Sequence, residues 1–219
     1  MEQLLLELLA PEPPRFNNFL PGPNAEAVAA LRENLRPPYR ESVFYLWGPP
    51  GCGKTHLLQA ATAGLPGAVY QVGPSCVAEP SGPAVIAQDD VENLDAQAQA
   101  GLFSLLNQQR QCGGLVLAAG KVPPARLALR EDVRNRLAWG LVFELKPLSD
   151  EDKPLALTDY ARARGFCIPP EVIKYLLDHG RRDMDTLLRQ LATLDHQSLL
   201  QKRPVSLALL RQLMRAEQS

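Results

Sequence analysis

The sequence predicts an α/β fold, a five-stranded parallel sheet covered by helices, with a small all-helical domain behind it. Three observations carry this expectation. Short apolar runs alternate with helix-length segments between residues 43 and 145. Between the first apolar run and the helix after it stands Gly48-Pro49-Pro50-Gly51-Cys52-Gly53-Lys54-Thr55, which fills every fixed position of the G-x-x-x-x-G-K-[ST] pattern. Beyond Pro147 the strand signals cease and only helical patterns remain. Strands separated by helices make parallel sheets buried on both faces.

The elements follow in order. Residues 1–14 stand apart, because a leucine-rich start runs into Pro11, Pro13 and Pro14. Prolines this close together stop a helix and hold the segment off the folded body. Phe16 to Gly22 is a turn-rich lead-in, and Asn24 is placed to cap a helix running to about residue 35, with Ala27, Leu31 and Leu35 on one face. Residues 43–47 form a strand, and the phosphate-type loop opens a helix over 55–63. Residues 68–72 form a short strand, and 73–83 form a loop containing three prolines. A buried strand over 84–87 ends at Gln88-Asp89-Asp90. Asp95 caps a helix to about residue 111. A strand over 115–119, a short helix over 132–137 and a strand over 141–145 complete the α/β part. Ser149-Asp150-Glu151-Asp152 reads as a capping box with Asp in the Glu position. Helices are expected at 150–164, 170–178, 183–200 and 206–215. The domains are therefore a tail, 1–14, an α/β nucleotide-binding domain, 15–148, and a helical lid, 149–219.

Composition excludes several functions. The 219 residues carry a net charge of −1 and no Lys/Arg block, which argues against a protein that grips nucleic acid by neutralising phosphates. No apolar run approaches the roughly 18 residues of a membrane span. The start, Met1-Glu2-Gln3-Leu4, lacks the basic region of a signal peptide. The four cysteines, Cys52, Cys76, Cys112 and Cys167, form no C-x-x-C, so neither a zinc site nor a disulfide framework is expected, and the compartment is reducing, the cytoplasm. Cys52 stands at a helix N-terminus, where a thiol pKa is open to lowering. Its weightier reading is a small loop residue.

The loop chemistry is direct. Its glycines allow backbone N–H groups to turn toward phosphate oxygens, and the helix N-terminus adds its positive dipole end. In this pattern Lys54 reaches the β/γ-phosphates and Thr55 holds Mg²⁺. An ATPase of this type also needs an acidic group at the end of a neighbouring strand. Asp89 meets that need toward the metal through its water shell. Asp90 stands where a base polarises the attacking water, with a shorter arm than glutamate. Arg134-Asn135-Arg136-Leu137-Ala138-Trp139-Gly140 precedes the last strand. An arginine there is either surface charge or a group that projects into a neighbouring subunit's nucleotide site, and spacing leaves both open.

Together these residues resemble the AAA+ ATPases of the bacterial replication-initiator family, and within it the regulatory inactivators of the initiator. The resemblance covers nearly the whole chain. It rests on Phe16 to Gly22, Phe44 to Thr55, the Asp89-Asp90 pair and the Arg134 to Gly140 run. It also rests on Leu145-Lys146-Pro147-Leu148-Ser149-Asp150-Glu151-Asp152-Lys153. It implies that Arg136 falls on the arginine-finger position. It also implies that Gln3-Leu4-Leu5-Leu6-Glu7-Leu8 is a clamp-binding peptide, with Gln3, Leu4, Leu6 and Leu8 as its contacts. Read alone, that leucine-rich hexamer is a frayed amphipathic helix.

Two departures stand out. Lys121 occupies the position of the polar sensor after the fourth strand. Asp185, in Arg181-Arg182-Asp183-Met184-Asp185-Thr186-Leu187, stands where a lid arginine usually reads the phosphates. Arg181, Arg182 and Arg189 are out of register for a simple exchange. Both departures weaken hydrolysis in cis, and neither touches Arg136. The sequence stops soon after the last helical pattern, so no basic helix-turn-helix and no sequence-reading of DNA is expected. The resemblance therefore implies a clamp-dependent negative regulator of replication initiation. It binds ADP or ATP with Mg²⁺, has weak or no ATPase of its own and docks on the DNA polymerase sliding clamp. It supplies Arg136 in trans to ATP held by the initiator DnaA. DNA contact is mainly indirect through the clamp, there is no membrane partner, and a homo-oligomer is compatible with the pattern. The alternative is a self-sufficient AAA+ ATPase such as a helicase loader, and a third reading is a clamp-binding module with a structural nucleotide.

Overall fold

A computed structural model describes residues 13–74, 81–179 and 183–216, without the side chains of residues 185, 215 and 216. The peptide positions Gln3, Leu4, Leu6 and Leu8, together with Arg181, Arg182 and Cys76, lie outside the described residues. The chain divides into two compact units, Pro14–Pro147 and the segment from Leu148 onward.

The first unit is the predicted α/β body. Its elements are α1 (Ala25–Asn34), β1 (Val43–Trp47), α2 (Lys54–Ala63), β2 (Val69–Val72), β3 (Val85–Asp89), α3 (Ala96–Cys112), β4 (Leu115–Gly120), α4 (Glu131–Leu137) and β5 (Leu141–Glu144). The sheet order is β2-β3-β4-β1-β5, and every pairing is parallel. Side chains alternate along a strand, so a central strand must find apolar cover on both sides. On β1, Phe44 and Leu46 enter a core with Leu57 and Leu58 of α2 and Val28 and Leu31 of α1. Val43 and Tyr45 enter the opposite core, with Leu102 and Leu106 of α3 and Val133 and Leu137 of α4. Both cores sit directly under the strand that delivers the nucleotide loop, which fixes the start of that loop.

The local chemistry departs from expectation at three places. Asn24 precedes α1 but makes no side-chain cap. Its amide instead pairs with the backbone of Lys146, donating Nδ2–H to the carbonyl at 2.8 Å and accepting the Lys146 N–H at 2.8 Å. Two bonds to the backbone of one residue outcompete a single cap bond. Second, β3 runs on through Gln88 and Asp89, both fully buried. Polar residues remain in the strand because each is satisfied: Gln71 donates to Gln88, and Asp89 accepts three donors described below. Third, the Ser149 box closes a turn before the helix. Ser149 Oγ accepts from Asp152 N at 3.1 Å but donates its own proton to the Asp152 carboxylate at 2.7 Å. Aspartate is one methylene shorter than the glutamate of the usual box and closes on the hydroxyl. Asp95 caps α3 as expected, accepting from Ala98 N at 2.7 Å.

The second unit is helical: α5 (Lys153–Ala163), α6 (Pro170–His179), α7 (Met184–Gln201) and α8 (Leu207–Ala216). Leu157, Val172, Leu176, Leu187, Leu191, Leu194 and Leu210 make its core. Asp183 caps α7 by accepting from Thr186 N at 2.9 Å. Arg164 on the edge of α5 pairs with the largely buried Asp195 of α7 at 3.4 Å.

Candidate nucleotide site

The site grows from the C-terminal ends of β1, β3 and β4, where ligands bind in open parallel sheets. At Gly48 the chain leaves β1. Its N–H donates to Gly120 O at 3.3 Å, tying the loop to the end of β4. A Cβ at Gly48 would run into the Leu145 carbonyl, so the close passage needs glycine. Gly53 stands in the left-handed region at φ 97°, directly before α2. A side chain at Gly53 would strike the ring of Phe19. The lead-in segment thus lies against the loop: Phe19 also meets the His56 ring at 5.3 Å, and His56 Nε2 lies 3.0 Å from Arg15 O.

Lys54 is 8 % exposed, and its ammonium donates to Gly48 O at 2.8 Å and Pro49 O at 3.0 Å. Those carbonyls hold the charge above the loop without neutralising it. Cys52 is buried, and burial pushes its thiol up despite the opposing pull of Lys54. That overturns the helix-terminus lowering and leaves the small-residue reading.

Thr55 and Asp89 meet directly. Thr55 Oγ1 donates to Asp89 Oδ2 at 2.6 Å, and Asp89 Oδ1 accepts from Asp90 N at 2.9 Å. A hydroxyl whose proton is committed to a carboxylate turns its lone pairs outward. Among the described residues no cluster of three or more His, Cys, Asp or Glu could hold a metal alone. Mg²⁺ does not require one, since it commonly binds through one or two carboxylates with phosphates and water. The Thr55 hydroxyl beside the Asp89 carboxylate fits that need.

Asp90 sits in the left-handed region at φ 51°. Burial, then the charges of Asp89 and Glu92, raise its carboxyl above the ordinary range, against Lys121 and Lys54. Lys121 follows β4 and lies 3.2 Å from Glu92 Oε1. Asp185 lies on α7.

Arg136 stands elsewhere, on α4. Its Nε donates to Asn107 Oδ1 at 2.8 Å and its NH1 to Asp132 O at 3.1 Å. The guanidinium lies 3.8 Å over the Phe103 ring and 4.9 Å from the Trp139 ring. Arg134 faces another way, with NH1 donating to Ala125 O at 3.3 Å. Both arginines are visible in the sequence but the cradle is not, because Phe103 and Asn107 lie about 30 positions earlier on a helix with ordinary amphipathic spacing. Tyr70, which donates to Asp89 Oδ2 at 3.0 Å, was also missed. Only the pairing of β2 with β3 brings it there.

Comparisons with known proteins bear on this geometry. Residues 150–214 match the family model described as Hda, lid domain. The crystal structure of domain III of the Thermotoga maritima replication initiation protein DnaA superposes with a TM-score of 0.74. It is 19% identical and covers 92% of this chain and 95% of its own. AMPPCP-bound DnaA from Aquifex aeolicus gives a TM-score of 0.70 at 19% identity, over 85% of this chain and 66% of its own. The RuvB Holliday junction branch migration motor of Thermotoga maritima gives 0.71 at 17% identity, over 95% of this chain and 73% of its own. No helix among the described residues is long and apolar enough to cross a membrane. Residues 150–214 are thus similar to the Hda lid domain, and the chain shares its fold with the DnaA and RuvB structures.

Proposed function

We propose that this chain is a nucleotide-bound regulator of replication initiation in the bacterial cytoplasm. It docks on the DNA polymerase sliding clamp through Gln3, Leu4, Leu6 and Leu8 and presents Arg136 to ATP held by DnaA. The observation that carries the reading is the match of residues 150–214 to the Hda lid. The intact loop and the seating of Arg136 support it. ADP or ATP binds along residues 48–55, with Lys54 on the phosphates. Mg²⁺, when bound, neutralises phosphate charge. Thr55 offers its oxygen to that cation and Asp89 orients the water around it. DnaA bound to AMPPCP shares this fold, which supports an adenine nucleotide. The tail 1–14 serves as the clamp-binding segment, 15–148 as the nucleotide domain and 149–219 as the lid.

Arg136 suits a partner's site. Its guanidinium stays charged and planar, and the Phe103 face and the Asn107 carbonyl orient it without neutralising it. An arginine supplied in trans stabilises charge on a γ-phosphoryl group by an amount worth about 10³–10⁵ in rate. The test is hydrolysis of DnaA-bound ATP with and without this protein and DNA-loaded clamp. Stimulation only when all are present supports the reading, and no stimulation in any combination contradicts it.

The completeness of Lys54, Thr55 and Asp89 favours one alternative, an ATPase acting alone. Steady-state turnover by the isolated chain at about 1 s⁻¹ or above, ordinary for an enzyme, establishes that alternative. Slow turnover is expected, because Asp90 is short and Lys121 and Asp185 stand at sensor positions.

A further inference from the structure

Asp89 receives one donor that the nucleotide loop does not supply. Tyr70 of β2 donates its phenol proton to Asp89 Oδ2 at 3.0 Å, the same oxygen that accepts Thr55 at 2.6 Å. Asp89 is 1 % exposed, and Oδ1 accepts the Asp90 N–H. Parallel pairing sets Tyr70 opposite Ala87, so its side chain stands on the sheet face that bears Asp89 two residues later. Two donors fill both lone-pair directions of Oδ2 and fix the carboxylate plane. One direction of Oδ1 then remains for other use. Without Tyr70, Thr55 alone would hold Oδ2 and the Asp90 N–H alone Oδ1, leaving a lone-pair direction of each oxygen open and the carboxylate less firmly fixed.

We propose that Tyr70 is a positioning residue for divalent-cation-dependent nucleotide binding. It keeps Asp89 Oδ2 on the Thr55 hydroxyl, so that the Thr55 oxygen and Asp89 Oδ1 meet the cation's ligand shell in one fixed arrangement. The proposal rests on the nucleotide-binding reading above. The sequence holds no hint of it, since a tyrosine in an edge strand is ordinary.

The experiment is ADP binding by calorimetry to the full chain, wild type and Tyr70→Phe, in excess Mg²⁺ and in EDTA. Phenylalanine keeps the ring that packs on the core and removes only the hydroxyl. The two proteins should bind ADP equally in EDTA, because Lys54 and the loop are untouched. The gain in affinity on adding Mg²⁺ should fall about tenfold in the variant, the loss of one hydrogen bond to a charged group. A second measurement, the Mg²⁺ concentration that half-saturates labelled ADP already bound, counts folded molecules only and should rise by a similar factor. A full Mg²⁺ gain in Tyr70→Phe overturns the proposal. So does an equal loss in both buffers, or a wild type whose affinity ignores Mg²⁺. A wild type that binds no ADP in either buffer removes the nucleotide reading itself.

Discussion

At the scale of a residue, the proposed nucleotide binding turns on Lys54. Its ammonium sits on two loop carbonyls, poised above backbone N–H groups that have no charge of their own. ADP at about 100 times its Kd should stabilise the folded chain by about 2.7 kcal/mol, which is about 5–10 °C in thermal midpoint for a chain of this size. Lys54→Ala should remove most of that shift, and a midpoint scan with ADP checks it. Asp90 carries a pH signature. Its carboxyl is raised in the fold by burial and by Asp89 and Glu92. A raised carboxyl favours the protonated form in the folded state. Its contribution is therefore present below the ordinary aspartate range, about 3.9, and is lost as pH rises through the folded value. Asp90→Asn should raise the thermal midpoint of the nucleotide-free protein at neutral pH. The gap to wild type should close as pH falls toward that range. A gap independent of pH would remove the electrostatic cause.

Among elements, the ends of strands matter most. The segment after β5 is tied to the start of α1 by the pair of hydrogen bonds between the Asn24 amide and the Lys146 backbone. Asn24→Ala removes both hydrogen bonds to the Lys146 backbone, which are part-buried, and should cost about 1–3 kcal/mol, read from denaturant midpoints. Asn24→Asp keeps the acceptor and loses the donor, so it should restore part of the stability. The difference between expected and observed roles at Asn24 has a physical source. A cap is a local signal, visible three residues away. The partner Lys146 is 122 positions distant and becomes available only when β5 docks on β1. Gln88 and Asp89 tell the same story. Their polarity marked the end of β3 in the sequence, yet the strand continues because Gln71, Tyr70 and Thr55 arrive from other elements to satisfy them. The loop, the alternation of strands and helices and the Asp95 cap were legible because each is local. The Arg136 cradle and the Tyr70 bond were not, because pairing and helix packing create them.

At the scale of the whole molecule, the proposed function divides between a site for nucleotide and a surface that would offer Arg136. The phosphate site gathers at the ends of β1, β3 and β4, whereas the contacts of Arg136 all lie on α3, α4 and Trp139 just beyond. Separate constellations predict separable phenotypes. The proposed reading assigns clamp docking to a third segment, residues 1–14. A synthetic peptide of residues 1–10 should compete with the full chain for the sliding clamp. Alanine at Gln3, Leu6 and Leu8 together should abolish binding with the thermal midpoint unchanged. Equal clamp binding by a chain lacking residues 1–14 would contradict that assignment.

Arginine supplied in trans is the central claim, and hydrolysis of DnaA-bound ATP with DNA-loaded clamp tests it most directly. The measurement compares wild type, Arg136→Ala and Arg134→Ala, each shown first to keep its ADP response and clamp affinity. Arg136→Ala should lower the stimulated rate by at least about 10²-fold, and Arg136→Lys should recover little of it, since a point charge lacks the planar fork. Arg134→Ala should keep most of the stimulation, because that side chain turns back to Ala125. Loss in the Arg134 variant with full stimulation by Arg136→Ala would contradict the assignment of the finger, and undiminished stimulation by both variants would contradict the mechanism in trans.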